Sequence, residues 1–411
     1  MMKSSDARGQ ALEDWTRWAC CFLLLAGAAY SWHAYNYLLP AFQQHPFYSV
    51  LLWDSQVFSN AGEAVAHGRD PYLTPAVTVP LDLPFFSAPS VAATLGLLYS
   101  VLGTGLAVLL KLGHLAAVVL TPLILTRLFI GRSAGELAWG YGLFLAGLGA
   151  LTAVGPFGVT TVIAGNFGSV LYLAIFAAMA HGLRSGKWYW FHVAVAVAVQ
   201  VKPPYGLLWI VPVLSNGWSW RQALHAAIAA VAAAAVFLVF YFVGPDLFRE
   251  WLGTLVHNVD INDDFGFSFY GAARYNLGPS TQSIFPYALH IGLCAAILLF
   301  LTLDRNTGTL KAAALTAFAI LANPRMKEYD VAFAIIPVAA LVYSVLAPPG
   351  VSAARRAAAL GAITLAMIGG ASVVFHVLPR LGPYSYALGV TAGILCLAFP
   401  RPRDVGDRPV T

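Results

Sequence analysis

Residues 51–72 decide the fold, and they read LLWDSQVFSNAGEAVAHGRDPY, a short way after the first long apolar stretch. The apolar members recur at the spacing of one helical face: Val57, Phe58, Ala61, Ala64 and Val65. The polar members fill the opposite face: Gln56, Asn60, Glu63 and His67. Gly68 and Pro71 end the pattern. The stretch therefore predicts a helix lying flat at a membrane surface, with Asp54 at its start and aimed back toward the rest of the protein.

Asp54 allows two interpretations. A carboxylate aimed at a helical bundle from the membrane surface is suited to act as a general base at the water–lipid boundary. A carboxylate at the start of a helix is equally suited to be its N-cap, which stabilises the first turn by about 1 kcal/mol. These residues alone leave both interpretations open.

The composition predicts an all-α polytopic membrane protein. The chain has 411 residues, of which 59% are hydrophobic and 10% are charged, and its mean hydropathy is +0.73. In soluble domains about a quarter of the residues are charged. The net charge of +5 fits the positive-inside rule for membrane loops and gives no reason to expect a nucleic-acid partner. The four cysteines lie in or beside apolar runs and lack metal-site spacing, so we expect small core residues.

The apolar runs predict one integral-membrane domain over residues 1–411 with about twelve transmembrane helices. The first run, Trp18 to Leu39, has no signal-peptide cleavage site and is expected to be retained. The other runs lie at about 87–102, 105–128, 134–153, 164–183, 188–214, 221–243, 281–303, 310–322, 329–346, 356–378 and 383–399. The remaining predicted parts are a cytoplasmic N-terminus at 1–17, outer loops at 40–84 and 244–280, and a cytoplasmic tail at 401–411.

Two topologies are open between residues 87 and 214. Twelve full spans place four cations on the outer side, against the positive-inside rule: Arg127, Arg132, Arg184 and Lys187. If 87–102 is re-entrant and 188–214 breaks at Lys202-Pro203-Pro204 into two passes, these cations move inside. Both topologies place the two loops and the turn at 323–328 on the outer side together.

Lys202 and the turn from Asn323 to Asp330 are the further candidates for chemistry. Lys202 lies in the middle of an apolar run, and the two prolines after it break the helix there. It is either a partner for a lipid phosphate or a lysine that snorkels at a kink. The turn NPRMKEYD carries two cations, two anions and a tyrosine. It either binds an anionic ligand or forms a salt-bridge network at the rim.

The loop at 244–280 and the residues after it hold a second group of polar side chains: Asp260, Asp263, Asp264, Arg274 and Gln282. The aspartates are a solvated face or a site for a divalent cation, and no loop spacing fixes a metal geometry. We therefore expect no cofactor, with a divalent metal left open. The sequence has no P-loop, nucleophile elbow, zinc signature or dinucleotide fingerprint.

The motifs, taken in order, resemble the bacterial GT-C glycosyltransferases of family 87, the DUF2029 type. The resembling residues are Asp54, Phe58, Ala61, Gly68-Arg69-Asp70-Pro71-Tyr72, Gly165-Asn166, Lys202-Pro203, Gln282-Ser283 and Asn323 to Tyr329. This resemblance covers nearly the whole chain. The chain departs from the family at Asn166, where Gln is more common, and at Tyr329, near which many relatives carry His.

The resemblance implies a GT-C fold and an inverting sugar transfer from a polyprenyl-phosphate donor, with mannose as the expected sugar. It implies that Asp54 is the catalytic base and that the region around Lys202 and the turn at 323–330 border the donor site. The expected donor-phosphate and substrate residues are Lys202, Arg325, Lys327, Tyr329, Gln282, Asn166 and Arg274. The expected partners are the lipid-linked donor, a glycolipid, polysaccharide or protein acceptor, and the lipid bilayer. The expected location is the bacterial inner membrane of the cell envelope, with the active site facing outside.

Other classes of function fit the sequence less well. A secondary transporter needs acids or histidines buried within its spans, whereas Glu136 and Asp330 lie at span ends. An O-antigen polymerase or ligase uses a polyprenyl-diphosphate glycan and generally relies on arginines of the outer loops, not on a helix that carries an aspartate. A non-enzymatic scaffold leaves Lys202 and the charges at 323–330 unexplained.

Overall fold

The computed structural model describes residues 52–73, 84–131, 164–257 and 308–327. It also describes shorter stretches and single positions between 134 and 144, between 268 and 295 and between 330 and 341. Within these residues the regular elements are all helices, and an isolated β-bridge joins Ser215 and Gly217. The all-α prediction is confirmed for this part of the chain. The predicted spans before residue 52 and after residue 341 lie outside it, so twelve remains a predicted count.

The continuous helices are numbered here in chain order. They are α1 (Trp53–Ala66), α2 (Pro89–Leu102), α3 (Gly105–Phe129), α4 (Phe167–Ser185), α5 (Tyr189–Val201), α6 (Ile210–Leu214), α7 (Trp220–Val243), α8 (Pro245–Val256) and α9 (Gly308–Leu321). A 3-10 helix, Pro203–Trp209, lies between α5 and α6. Helices α3, α4 and α7 are each long and apolar enough to cross a membrane.

Helix α1 has the predicted amphipathic pattern. Val57, Phe58, Ala61 and Ala64 are buried, and the helix ends just before Gly68, whose positive φ of 69° suits glycine. The helix packs closely on α2 through two glycines. A Cβ atom on Gly62 would lie 2.7 Å from the Leu95 carbonyl oxygen, and one on Gly96 would lie 2.5 Å from Val65. Small residues at both positions therefore bring the two helices together.

The apolar run 188–214 breaks at Lys202, as its two prolines predict. Proline lacks the N–H group that would continue the helix, and α5 ends at Val201. His192 Nε2 lies 3.1 Å from the Gln222 side chain, and the Gln200 amide donates to the Ala233 carbonyl at 3.1 Å. Both residue numbers rise together along the two helices, so α5 and α7 run in the same direction. The segment 203–214 therefore returns between them.

Two of the four cations that distinguish the two topologies, Arg127 and Arg184, lie at one end of the structure. Leu106 and Leu110 of α3 pack with α1 and α2, whereas Val118, Leu125 and Phe129 pack in the larger core with the body of α4. His114 lies beside Asn166, which precedes α4, so α3 and α4 run in the same direction. Their C-terminal ends carry Arg127 and Arg184. Asp54, Asn166 and Lys202 lie toward the opposite end.

Candidate functional site

Asp54 lies in the first turn of α1 but does not cap it. The N-cap residue is Leu52, which has a left-handed backbone with φ of 60°, and the cap makes no side-chain hydrogen bond. The carboxylate of Asp54 accepts a hydrogen bond from outside its own helix instead. The N-cap interpretation of Asp54 is therefore wrong, because the helix begins one residue before it, at Trp53.

Asn166 fixes the orientation of this carboxylate. Its Nδ2 donates to Asp54 Oδ2 at 2.7 Å, and its Oδ1 accepts from the backbone N–H of Gly168 at 2.7 Å. The second bond caps α4, which begins at Phe167. Because the oxygen end of the amide is committed to α4, the nitrogen end must face Asp54. The start of a long apolar helix thus positions the candidate base.

Gly165 allows the two segments to approach closely. Its φ is +70°, and a Cβ atom there would lie 2.7 Å from the Cβ and 2.8 Å from the Cα of Leu52. Ser55 Oγ donates to the Gly165 carbonyl at 2.7 Å. Glycine is required here both for its backbone conformation and for its lack of a side chain. The Gly165-Asn166 pair therefore acts as one unit, in which glycine permits the approach that asparagine uses.

Burial raises the pKa of Asp54 from its ordinary value of 3.8 to about 6. The Asn166 hydrogen bond opposes this rise, followed by the charge of Lys327, a hydrogen bond with the Trp53 side chain and the charge of Arg325. The residue is half-buried. Near neutral pH this carboxyl group is mostly ionised but far more basic than an ordinary aspartate. Such a pKa suits a general base.

Arg325 and Lys327 reach this region from the turn that follows α9. Asn323 is buried, and its Oδ1 accepts from the Arg325 backbone N–H at 2.9 Å. The Arg325 guanidinium lies 5.4 Å from the centre of the Phe86 ring, in a cation–π contact. Both cations are half-buried and act electrostatically on Asp54. The turn therefore places two positive charges near the candidate base.

Phe86 belongs to a short connecting segment, residues 84–88, that several elements hold in place. Trp251 of α8 donates its indole N–H to the Phe86 carbonyl at 2.9 Å, and Tyr72 donates its hydroxyl to the Ser87 carbonyl at 2.7 Å. The Ala88 N–H donates to the Gln200 carbonyl at 3.1 Å. Burial, together with the Asp70 charge, raises the pKa of Tyr72, which keeps its hydroxyl protonated as a donor. The surface beneath Arg325 is thus built from three parts of the chain.

Lys202 forms an ion pair with Asp330, which is fully buried. Asp330 also accepts from the Tyr172 hydroxyl at 2.8 Å, the Tyr205 hydroxyl at 3.4 Å and the Lys327 backbone N–H at 2.9 Å. Lys202 is itself only 8% exposed. It is not a snorkelling lysine, since its ammonium faces a carboxylate inside the protein. Its expected role toward a donor phosphate stays untested.

The remaining predicted residues divide into two groups. Arg274 is described as a half-buried helical residue. Gln282 and Tyr329, and the aspartates at 260, 263 and 264, lie outside the described part of the chain. No group of three or more metal-ligating side chains occurs among the described residues. The structure thus brings together Asp54, Asn166, Arg325 and Lys327, and it joins Lys202 to the same turn through Asp330.

Some contributors to the site have no clear signal in the sequence. Tyr172, Tyr205 and Phe86 carry no motif, and Asp330 stands out only as one charge of the turn. The proline pair after Lys202 was the one available signal, because a broken helix within an apolar run frees polar backbone that must find partners.

No protein-family model matches the chain, and no curated protein matches it. Among solved structures, the chain is similar to the crystal structure of ArnT from Cupriavidus metallidurans in the apo state. The identity is 17% and the TM-score 0.35, over 90% of this chain and 77% of that one. A likeness of this size carries no argument about activity.

Proposed function

We propose that the protein is an inverting GT-C-type glycosyltransferase that moves a sugar from a polyprenyl-phosphate donor to a hydroxyl acceptor, with Asp54 as the general base. One observation carries the proposal. A half-buried carboxylate is oriented by Asn166 at 2.7 Å, with two cations of a neighbouring turn acting on it. A base beside cations is the arrangement needed to remove a proton from one oxygen while negative charge develops on another.

The proposed step needs one carboxylate. The acceptor hydroxyl attacks the anomeric carbon from the face opposite the phosphate, and Asp54 takes its proton. The bond between the anomeric carbon and the phosphate oxygen breaks, and the polyprenyl phosphate leaves with the electron pair. The leaving group is stable as an anion, so no general acid is required, unlike most glycoside hydrolysis. Inversion at the anomeric carbon follows from the single displacement.

Arg325 and Lys327 are the proposed ligands of the donor phosphate. Guanidinium and ammonium groups stabilise the charge that grows on a departing phosphate. Both residues are half-buried, so partial desolvation strengthens their effect while leaving access for a ligand. Asn166, Arg274, Gln282 and Tyr329 are proposed as further substrate contacts on the resemblance alone.

The charge distribution supports an outward-facing site. Arg127, Arg184, Lys187 and Arg221 gather at the end opposite Asp54, and cations concentrate on the cytoplasmic side of membrane proteins. Asp54, Arg325 and Lys327 then face outside the bacterial inner membrane. A donor that is anchored in the outer leaflet reaches such a site without leaving the bilayer. Mannose is the proposed sugar, and a glycolipid, polysaccharide or protein is the proposed acceptor.

The test is sugar transfer from a short synthetic polyprenyl-phospho-mannose to membrane glycolipid extracts by the purified protein. Asp54→Asn is compared with wild type, and Asp246→Asn, an exposed aspartate of α8, is the matched control. We expect transfer with inverted anomeric configuration by wild type and the control, and loss in a folded Asp54→Asn protein. Retained configuration, or equal transfer by all three proteins, would overturn the assignment of Asp54. Transfer from polyprenyl-phospho-arabinose in place of mannose would change the sugar but keep the reaction class.

A further inference from the structure

The buried group around Asp330 connects two parts of the protein that lie far apart in sequence. It joins the break after α5, where Lys202 lies, to the turn that carries Arg325 and Lys327. Lys202 and Tyr205 come from the break, Tyr172 comes from α4, and Asp330 follows the turn. The group rests on ion pairing, two hydroxyl bonds and one backbone bond, so it has a defined geometry.

We propose that Lys202 is a positioning residue, whose ion pair with Asp330 holds the turn at 323–327 so that Lys327 and Arg325 face the donor beside Asp54. This inference rests on the proposed function and changes one of its expected parts, because it removes Lys202 from the donor-phosphate ligands. It makes the Lys202–Asp330 pair an internal support and leaves phosphate binding to the turn.

Charge balance gives Lys202 a structural role. A fully buried carboxylate is tolerated when it is paired and hydrogen-bonded. Asp330 has an exposed fraction of 0%, and the ammonium group of Lys202 forms an ion pair with it. The rings of Tyr172 and Tyr205 pack at 5.0 Å between centres, and both hydroxyls donate to the carboxylate. Lys202 therefore has a structural role, which is to neutralise Asp330. Its removal would leave a buried negative charge.

Two hydrogen bonds to the backbone of Lys327 link this pair to the turn. Asp330 Oδ2 accepts from the backbone N–H of Lys327 at 2.9 Å, and the Asp330 N–H donates to the Lys327 carbonyl at 3.0 Å. The backbone of Lys327 is thus bonded twice to Asp330. The charge of Lys327 acts on Asp54 and lowers its pKa. A shift of Asp330 would move Lys327 directly and Arg325 through the shared turn.

The pH dependence of activity distinguishes a positioning role of Lys202 from phosphate binding. The groups that act on Asp54 are Asn166 and Trp53 by hydrogen bonding and Lys327 and Arg325 by charge. If the turn moves away, these two cations lower the pKa of Asp54 less, and the acid limb of the activity profile moves to higher pH. Loss of a phosphate ligand alone would raise the KM for the donor and leave the limb in place.

The experiment compares Lys202→Met, Asp330→Asn and the double variant, with Lys187→Met as the exposed control at the opposite end. We expect each single change to lower the melting temperature by roughly 10 °C. The double change removes both charges, so we expect it to recover most of that loss. The kcat of the double variant should fall by about tenfold and its acid limb should move to higher pH, and the donor KM should rise as well because Arg325 and Lys327 are displaced with the turn.

Two results would overturn the proposal. The first is a folded double variant whose donor KM rises by about tenfold with kcat and the acid limb unchanged, which would make Lys202 a donor ligand. The second concerns Tyr172→Phe, which removes the 2.8 Å bond to Asp330 and keeps the charges. This variant should lower kcat and raise the acid limb, and if it leaves both unchanged the proposal fails, even where the double variant does not fold.

The melting temperatures keep this inference separate from the proposed reaction. They require no substrate, so they can be read even if wild type transfers no sugar from any polyprenyl phosphate. In that case the proposed function fails, and recovery in the double variant still tests the ion pair. If wild type is active and a folded double variant does not recover its melting temperature, the support role of the ion pair is contradicted. The proposed reaction is then unaffected.

Discussion

Asn166 binds Asp54 with one end of its side-chain amide and caps α4 with the other. A helix terminus within the apolar bundle thereby sets the direction of a carboxylate that lies 112 residues earlier in the chain. The two bonds are geometrically coupled, because an amide that rotates to release one also releases the other.

Asn166→Ser should separate the capping of α4 from the hydrogen bond to Asp54. Serine still caps a helix, so we expect the melting temperature to stay close to that of wild type. It cannot reach Asp54 as the longer amide does, so the carboxylate loses the hydrogen bond that lowers its pKa. We expect kcat to fall by about tenfold and the acid limb to move to higher pH. Steady-state kinetics across pH check this, and an unchanged limb would show that Asn166 does not hold the base.

The pH profile of wild type should carry the pKa of Asp54. General-base catalysis requires the ionised carboxylate, so kcat/KM is expected to rise with pH through about 6 and then level off. An ordinary aspartate would give a limb near 4. A profile that is flat between pH 5 and 7, measured with a donor whose phosphate does not titrate in that range, would contradict a buried base.

Lys327→Met should affect both binding and the base. Loss of a cation that acts on Asp54 raises the pKa of the carboxyl group, and the acid limb moves upward. Loss of a phosphate ligand raises the donor KM by about tenfold or more, given the strength of charged hydrogen bonds. Lys187→Met, at the opposite end of the protein, is the control and should change neither quantity. A normal KM together with a shifted limb would limit Lys327 to an electrostatic role.

Asp54→Asn should stabilise the fold while removing activity. The folded-state pKa of about 6 lies above the ordinary 3.8, so the folded protein holds a proton that the unfolded chain releases between these values. Stability from this group is complete below pH 3.8 and is lost as the pH rises through 6. The loss is about 3 kcal/mol at most. We expect the variant to melt higher than wild type at pH 7.5 and equally near pH 4, with Asp246→Asn showing no such trend.

Gly165→Ala should destabilise the contact between α1 and the start of α4. The added methyl group would meet Leu52 at 2.7 Å in a backbone conformation that disfavours alanine. Gly186→Ala is the matched control, because that glycine has a similar φ of 71° but open space around it. The control should lose about 1 kcal/mol from strain alone. An equal loss in both variants would show that the close approach at Leu52 has no energetic importance.

Much of the local structure follows from sequence. The amphipathic face of α1, its end near Gly68 and the break at Lys202 are all set by residues close in the chain. The left-handed conformation of Leu52 does not follow, because leucine has no intrinsic preference for it and the fit against Gly165 determines it.

The partners in the site could not be predicted from local pattern. Lys202 and Asp330 are 128 residues apart, and their pairing depends on how α4, α5 and α9 pack. Proline signals that Lys202 ends a helix, but it does not indicate whether the ammonium meets a carboxylate or a ligand. The contact between Arg325 and Phe86 has the same origin, since residues 84–88 are held by Tyr72, Gln200 and Trp251.

The most direct test of the central claim is the rate of sugar transfer at saturating donor and pH 7.5 in wild type and Asp54→Asn, both verified as folded by their melting curves. If Asp54 is the general base, the variant should be slower by about 100-fold to 10,000-fold, with little change in donor KM. Equal rates in the two proteins would contradict the account, because a carboxylate that can be replaced by an amide without cost does not accept the acceptor's proton.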